Sequence, residues 1–112
     1  MNKPGLNRQL VLEAPARVED GAGGYEEIWT ELGMLWAEID GPTGRLAMGQ
    51  TVELSSTSHA ITVRAAPVGQ SSRPLPGQRF RMGTRLFRID AVRVADRAGL
   101  YLTCQCQEEV AI

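Results

Sequence analysis

Gly5-Leu6-Asn7-Arg8-Gln9-Leu10-Val11-Leu12-Glu13-Ala14-Pro15, followed after four residues by Asp20-Gly21-Ala22-Gly23-Gly24-Tyr25, is the stretch whose reading decides the fold. Leu10 and Leu12 alternate with Gln9, Val11 and Glu13, a period of two that suits a half-buried strand. Gly21, Gly23 and Gly24 can take positive φ, so the chain is expected to reverse there in a hairpin or bulged turn. Tyr25 to Thr30 resumes as a strand, and Gly33 marks a bulge or break before Met34–Asp40. In that last run Leu35, Ala37 and Ile39 share one face, while Trp36, Glu38 and Asp40 share the other.

Downstream the same period continues. Gly41-Pro42-Thr43-Gly44 ends the strand, because proline lacks a ladder donor and glycine favours turns. Arg45–Gln50 has room for one helical turn at most, given Gly49. Thr51-Val52-Glu53-Leu54 restarts an alternation, and Ser55-Ser56-Thr57-Ser58 is small, hydroxylated and weakly specified. His59–Arg64 is a firmer strand with Ile61 and Val63 on one face. Ala65–Gln78, rich in proline and glycine, reads as a surface loop. Arg79–Met82 and Leu86–Ile89 flank Gly83-Thr84 as a hairpin with Phe80 and Met82 facing Phe87 and Ile89. Parity shifts at Ala91, so that Val92 and Val94 are expected to point inward after one bulge. Asp96-Arg97-Ala98-Gly99 turns into a last strand with Leu100, Leu102, Cys104 and Cys106 on one face. The chain is expected to fray from Glu108 onward, with 109–112 as a flexible tail. Six or seven short strands predict one all-β domain over 1–112, a small antiparallel β-barrel or sandwich, since closure hides sheet edges. One long loop, Gly41–Ser58, is expected to project from it.

The 112 residues suffice for one modest core, and a net charge of −1 gives no bulk affinity for nucleic acid. No apolar run approaches a membrane span, and no apolar segment follows Met1–Gly5, so neither a membrane anchor nor a secretory signal is expected. Synthesis in the cytoplasm follows. The balanced total hides an asymmetry. Nine acidic side chains face four basic ones through Ser58, and eight arginines face four acids from His59 onward. Solvated loops account for this, and so do two faces of opposite sign suited to head-to-tail packing of identical subunits.

No arrangement of reactive residues supports an enzyme. Cys104 and Cys106 point the same way on a strand, but a structural zinc needs four ligands and only His59 could join them, so they read as buried apolar cysteines. No metal or other cofactor is expected. His59 has nearby serines but no nucleophile elbow and reads as a solvent-facing or strand-edge histidine. Glu26-Glu27 and Glu108-Glu109 diverge to opposite faces, which argues against paired acid–base work. Gly21–Gly24 lacks the Lys-Ser/Thr of a phosphate loop. Arg79, Arg81, Arg85, Arg88, Arg93 and Arg97 form the strongest basic cluster, and Arg79 and Arg81 project outward together. Without exposed aromatics between them they suit a subunit interface or a solvated face better than base stacking. Trp36, opposite the Leu35/Ala37/Ile39 face, either packs under the long loop or anchors a neighbouring subunit.

In its ordered set of pieces the chain resembles the head–tail joining, or head-closure ("stopper"), proteins of long-tailed phages and phage-like particles. The pieces are the opening stretch and glycine turn, Met34-Leu35-Trp36-Ala37-Glu38-Ile39, Gly41-Pro42-Thr43-Gly44-Arg45 and Ile61-Thr62-Val63-Arg64. Gly83-Thr84-Arg85-Leu86-Phe87-Arg88-Ile89 and Leu100-Tyr101-Leu102-Thr103-Cys104 complete the set. Arg45–Ser58 departs from the pattern in its wealth of small residues. The resemblance implies a virion protein, assembled in the bacterial host cytoplasm, that forms a homo-oligomeric ring. It implies a portal–adaptor complex on the head side, a tail terminator or tail tube on the other, and packaged double-stranded DNA held non-specifically in the channel. A gene transfer agent is an equal setting. By the same resemblance the long loop gates the channel, through Gly41, Thr43, Gly44, Arg45, Gly49, Gln50, Thr51, Ser55 and Ser56, with the glycines as hinges. Candidate interface residues are Trp36, Glu38, Arg79, Arg81, Arg85 and Arg88. The alternative is a small β-barrel module that binds nucleic acid or peptide.

Overall fold

The computed structural model describes residues 4–41 and 58–109. Among these, six strands follow one another: β1 (Arg8–Glu19), β2 (Tyr25–Asp40), β3 (Ser58–Arg64), β4 (Arg79–Met82), β5 (Arg85–Val94) and β6 (Tyr101–Glu109). All neighbouring pairs are antiparallel, and the order β1-β2-β3-β6-β5-β4 closes on itself as a barrel. The expected all-β barrel is therefore the fold. Its interior is filled from every strand, with Leu10, Leu12, Ala37, Ile61, Val63, Phe80, Phe87, Ile89, Leu102, Cys104 and Cys106 essentially without solvent exposure.

Two bulges keep those side chains inward. Leu12 pairs with Gly33 but Glu13 pairs with Glu31, so Leu32 is an extra residue of β2 and packs half-buried against the core. Gly33, with φ of 153°, forms a bulge within a continuous strand and not a break. Ile89 pairs with Cys106 and Ala91 with Gln105, leaving Asp90 as the extra residue of β5. Val92 then faces inward opposite Cys104, as read from the parity shift, but Val94 lies at the barrel rim and is exposed.

Four further expectations are corrected. The strands are not all short: β1 has 12 residues and β2 has 16. Beyond Glu13 and Glu31 they continue as a two-stranded ribbon, because β4 pairs with β1 only over Val11–Glu13 and β3 with β2 only over Ala37–Asp40. Pro15, which has no ladder donor, falls just past the last β4 partner, where β1 has become an edge. The ribbon turns at Asp20, whose Oδ1 accepts the N–H groups of Ala22 (2.8 Å) and Gly24 (3.1 Å). Leu100 precedes β6 and is exposed. His59 is buried, since it shares the face of Ile61 and Val63. Glu108 and Glu109 do not fray; both lie in β6, opposite Phe87 and Leu86.

Strand directions sort the connections between two ends of the barrel. Gly41, Ser58, the Gly83-Thr84 turn and the end of β6 lie at one end. The ribbon tip, the β3–β4 connection and the β5–β6 turn lie at the other. The β3–β4 connection is a surface loop, as expected, and is tied down: Arg73 Nη1 donates to the Ala66 carbonyl (2.8 Å), Gly77 N–H to that of Ile89 (2.9 Å), and Pro74 is buried. Thr43, Gly44, Arg45, Gly49, Gln50, Thr51, Ser55 and Ser56 of the long loop, and the tail after Glu109, lie outside the described residues.

Candidate assembly surface

The outer face of the barrel wall is polar where β1 meets β4. Glu13, opposite Arg79 in that pairing, is almost fully buried there. Its carboxylate accepts Arg79 Nε at 2.7 Å on one oxygen and Arg81 Nε at 2.9 Å on the other. Arg81 also reaches Glu31 of β2 through Nη2, at 2.8 Å. Burial pushes the Glu13 carboxyl up, but hydrogen bonds and charge from Arg81 and Arg79 outweigh it, and Glu13 titrates below its ordinary value. Arg79 and Arg81 do share the outer face, yet they act as clamps on β1 and β2. They also bring acids of the N-terminal half against arginines of the C-terminal half, so part of the sequence asymmetry cancels within one subunit.

A second polar group caps the end of the barrel from which the long loop leaves. Arg85 and Phe87 share a face of β5, and Glu108 stands opposite Phe87 on β6. Arg85 donates Nε and Nη2 to the two Glu108 oxygens at 2.8 and 2.9 Å, a bidentate pair. Glu108 Oε1 also lies 3.0 Å from His59 Nε2, and the His59 ring stands edge-on to Phe87 with centroids 5.2 Å apart. The Arg85 hydrogen bond, over a smaller opposing desolvation, holds the Glu108 carboxyl below its ordinary value. His59 is adjacent in sequence to Ser58, the first described residue after the long loop. What buries it is its place on the inward face of β3, two residues before Ile61. The alternation of His59, Ile61 and Val63 was legible in the sequence and is the signal that the strand-edge reading passed over.

The remaining candidates are less engaged. Arg88 is half-exposed and makes long contacts, 3.4 Å to Asp90 and 3.9 Å to Glu109. Glu38 accepts the Gly5 N–H at 2.7 Å and so ties down the N-terminal segment. Trp36 is 55% exposed on the outer face of β2, and Met34 beside it on that face is 59% exposed. Trp36 and Met34 lie along the β2 edge that β3 leaves uncovered. Trp29 behaves differently from Trp36, for it is half-buried with the Arg79 guanidinium 4.0 Å from its ring centre.

The two cysteines are not placed for covalent chemistry. Cys104 and Cys106 are buried and free, as read, and burial pushes the Cys104 thiol up to about 12 and that of Cys106 higher. Among the described residues no three His, Cys, Asp or Glu side chains are placed to hold a metal ion, and no helix is long and apolar enough to cross a membrane.

Residues 1–109 match a family model described as phage head completion protein. Among solved structures, a chain from the virion of a native gene transfer agent particle is 47% identical and superposes with a TM-score of 0.75, over 97% of this chain and 100% of that one. A protein of Shigella flexneri 2a, known from a solution structure, shares the fold at 21% identity and a TM-score of 0.70, over 96% of both chains. Comparison with curated proteins gives no match.

Proposed function

This chain belongs to the phage head completion protein family, and from that membership we propose that it is the joint that closes the head of a phage-like particle and receives the tail. It is a structural virion protein and not an enzyme. In this reading copies of the chain form a ring, seated on the portal–adaptor complex on the head side and offering the tail terminator or tail tube a platform on the other. The long loop, 41–58, enters the channel and restrains the packaged double-stranded DNA without reading its sequence. The observation that carries the reading is the match to a virion component of a gene transfer agent, 47% identical over nearly the whole of both chains. A gene transfer agent particle is accordingly the favoured setting.

The geometry supports it in two ways. The barrel interior is filled and the Glu13 and Glu108 carboxylates are paired with arginines across strands, which suits a rigid part. Gly41 and Ser58 lie at one barrel end, where Asp40 pairs with Ala60, so both ends of the proposed gate are anchored in the same part of the wall. Trp36 and Glu38 on the outer face of β2, with Arg79, Arg81, Arg85 and Arg88, are the contacts proposed toward neighbouring subunits or the adaptor. Of these, exposed Trp36 is the strongest anchor. A free-standing nucleic-acid module draws less support, because Arg79, Arg81 and Arg85 are engaged with Glu13 and Glu108.

Deleting residues 44–57 in the particle-producing cell tests the gate. The expected result is a folded protein incorporated into tailed particles that have lost their DNA. Particles that retain full DNA content would overturn the gating role. Mass photometry of the protein with its cognate adaptor tests the ring, which fails if only single copies bind.

A further inference from the structure

Among the described residues, the ribbon formed by Ala14–Glu19 and Tyr25–Thr30 has no third strand on either side. A two-stranded ribbon standing alone in water is marginal. The ribbon face that continues the barrel interior carries Ala14, Ala16 and Val18 opposite Thr30, Ile28 and Glu26. On it Val18 and Ile28 are 42% and 44% exposed. Around the tip stand Glu19, Asp20, Glu26 and Glu27, all exposed. Arg17, on the strand beside them, lies over the Tyr25 ring at 5.1 Å. The ribbon is thus an acidic tip on an uncovered apolar face. Pro15 discourages strand addition along the β1 edge, so a partner would meet it through side chains.

A patch of the opposite sign lies at the same barrel end, around the β5–β6 turn. Val94 and Leu100 are about half-exposed, and Arg93 and Arg97 beside them are exposed with no ion pair among the described residues. Asp96, which lies between them in sequence, has its Oδ1 engaged by the N–H groups of Leu100 (2.9 Å) and Tyr101 (3.0 Å). In the closed order β1-β2-β3-β6-β5-β4, the pair β1–β2 is separated from the pair β6–β5 by β3 one way round and by β4 the other. The two patches therefore lie on opposite sides of the barrel wall. A subunit with complementary patches on opposite sides can bind copies of itself head to tail, and such contacts close into a ring where the rotation allows.

We propose that the β1–β2 ribbon of one subunit docks on the β5–β6 turn of the next copy, Val18 and Ile28 against Val94 and Leu100, with Glu26 on that face and the acids around the tip, Glu27 among them, bringing negative charge to Arg93 and Arg97. This rests on the ring reading above and names its contact.

Two measurements on particles test it. With Val18→Cys and Leu100→Cys in one chain, mild oxidation of purified particles should give a ladder of covalent multiples under non-reducing denaturation, since the native cysteines are buried. Either substitution alone should give no ladder. Separately, Glu26→Arg with Glu27→Arg, and Arg93→Glu with Arg97→Glu, should each lower incorporation at least tenfold, and the four together should restore it to within about threefold. Circular dichroism of each variant establishes that it folds, and rescue by the fourfold variant excludes misfolding as the cause of loss. Cross-links to a different virion protein alone would overturn the proposal, since another partner would then occupy the ribbon. Normal incorporation of both charge-reversed pairs would also overturn it, and rings released from those particles would show that the ring reading survives. Single copies released from wild-type particles would sink both.

Discussion

Arg79 of β4 places its guanidinium 4.0 Å from the centre of the Trp29 ring on β2, although β1 runs between those two strands. The same group donates Nε to Glu13 on β1 at 2.7 Å, so one side chain spans three strands where the ribbon leaves the barrel. A planar guanidinium can hold a carboxylate and cover a ring at once, which an ammonium cannot. Arg79→Lys is therefore expected to cost about 1–2 kcal/mol despite keeping its charge. In a double-mutant cycle with Trp29→Ala, followed by urea denaturation with circular dichroism, about 1 kcal/mol of coupling is expected. Additive losses would mean that the ring and guanidinium only happen to be near.

Acid should weaken the barrel through Glu13 and Glu108. Both carboxyls titrate below their ordinary 4.5 when folded, so the unfolded chain binds more protons in acid. Their contribution is complete above about pH 4.5 and is lost as pH falls through the lower folded values. Urea midpoints measured from pH 7 to pH 3 should fall steeply below that point in the wild type. With Glu13→Gln and Glu108→Gln together, the midpoint should be lower at pH 7 and its fall in acid shallower. At neutral pH Glu13→Gln alone is expected to cost about 2 kcal/mol, because Arg79 and Arg81 lose their shared anion, with the loss at half-exposed Arg81 screened by water. Parallel pH profiles for wild type and double variant would remove these carboxylates from the account.

His59 is expected to act as a packing residue at the end of the barrel that bears the long loop. It is 4% exposed, stands edge-on to Phe87 and meets Glu108 at 3.0 Å. His59→Ala should cost about 2–4 kcal/mol by leaving a cavity and half-emptying a polar cluster. The control is Gln105→Ala on the exposed side of β6, where a change within about 0.5 kcal/mol is expected. Equal small effects at both positions, measured by thermal melts, would show that the Arg85–Glu108 pair closes that end without the imidazole.

The strands were legible where they bury alternate residues: Leu10 and Leu12, Ile61 and Val63, and Phe80 with Phe87 all fall inward at their expected parity. Both bulges also left marks, Gly33 in one case and the parity shift at Ala91 in the other. What the pattern did not reveal was where pairing stops. The ribbon exists because β4 covers β1 only to Glu13 and β3 covers β2 only from Ala37, and that depends on partners distant in sequence. Charge pairing was hidden for the same reason. Arg79 and Arg81 read as a free cationic stripe until closure of the barrel brings Glu13 beside them, 66 and 68 residues away. Glu108 likewise read as a frayed end until Arg85 supplied its partner.

The two cysteines offer a probe of how the barrel opens. Cys104 and Cys106 are buried on the inward face of β6, and the Cys106 thiol is directed to the Cys104 carbonyl at 3.5 Å. With the Cys104 thiol pushed up to about 12, roughly one molecule in 10⁵ carries its thiolate at pH 7, and the thiolate is the reactive species. Reaction with a disulfide reagent therefore requires β6 to part from β3 or β5, each of which covers it along most of its length. Labelling in native buffer is expected to be slower than that of the unfolded chain by a factor close to the folding equilibrium constant. Its dependence on urea should match that of global unfolding if β6 parts only when the whole barrel does. Labelling within minutes and independent of urea would place a local opening at β6, and the Arg85–Glu108 pair would then be too weak to hold the strand shut.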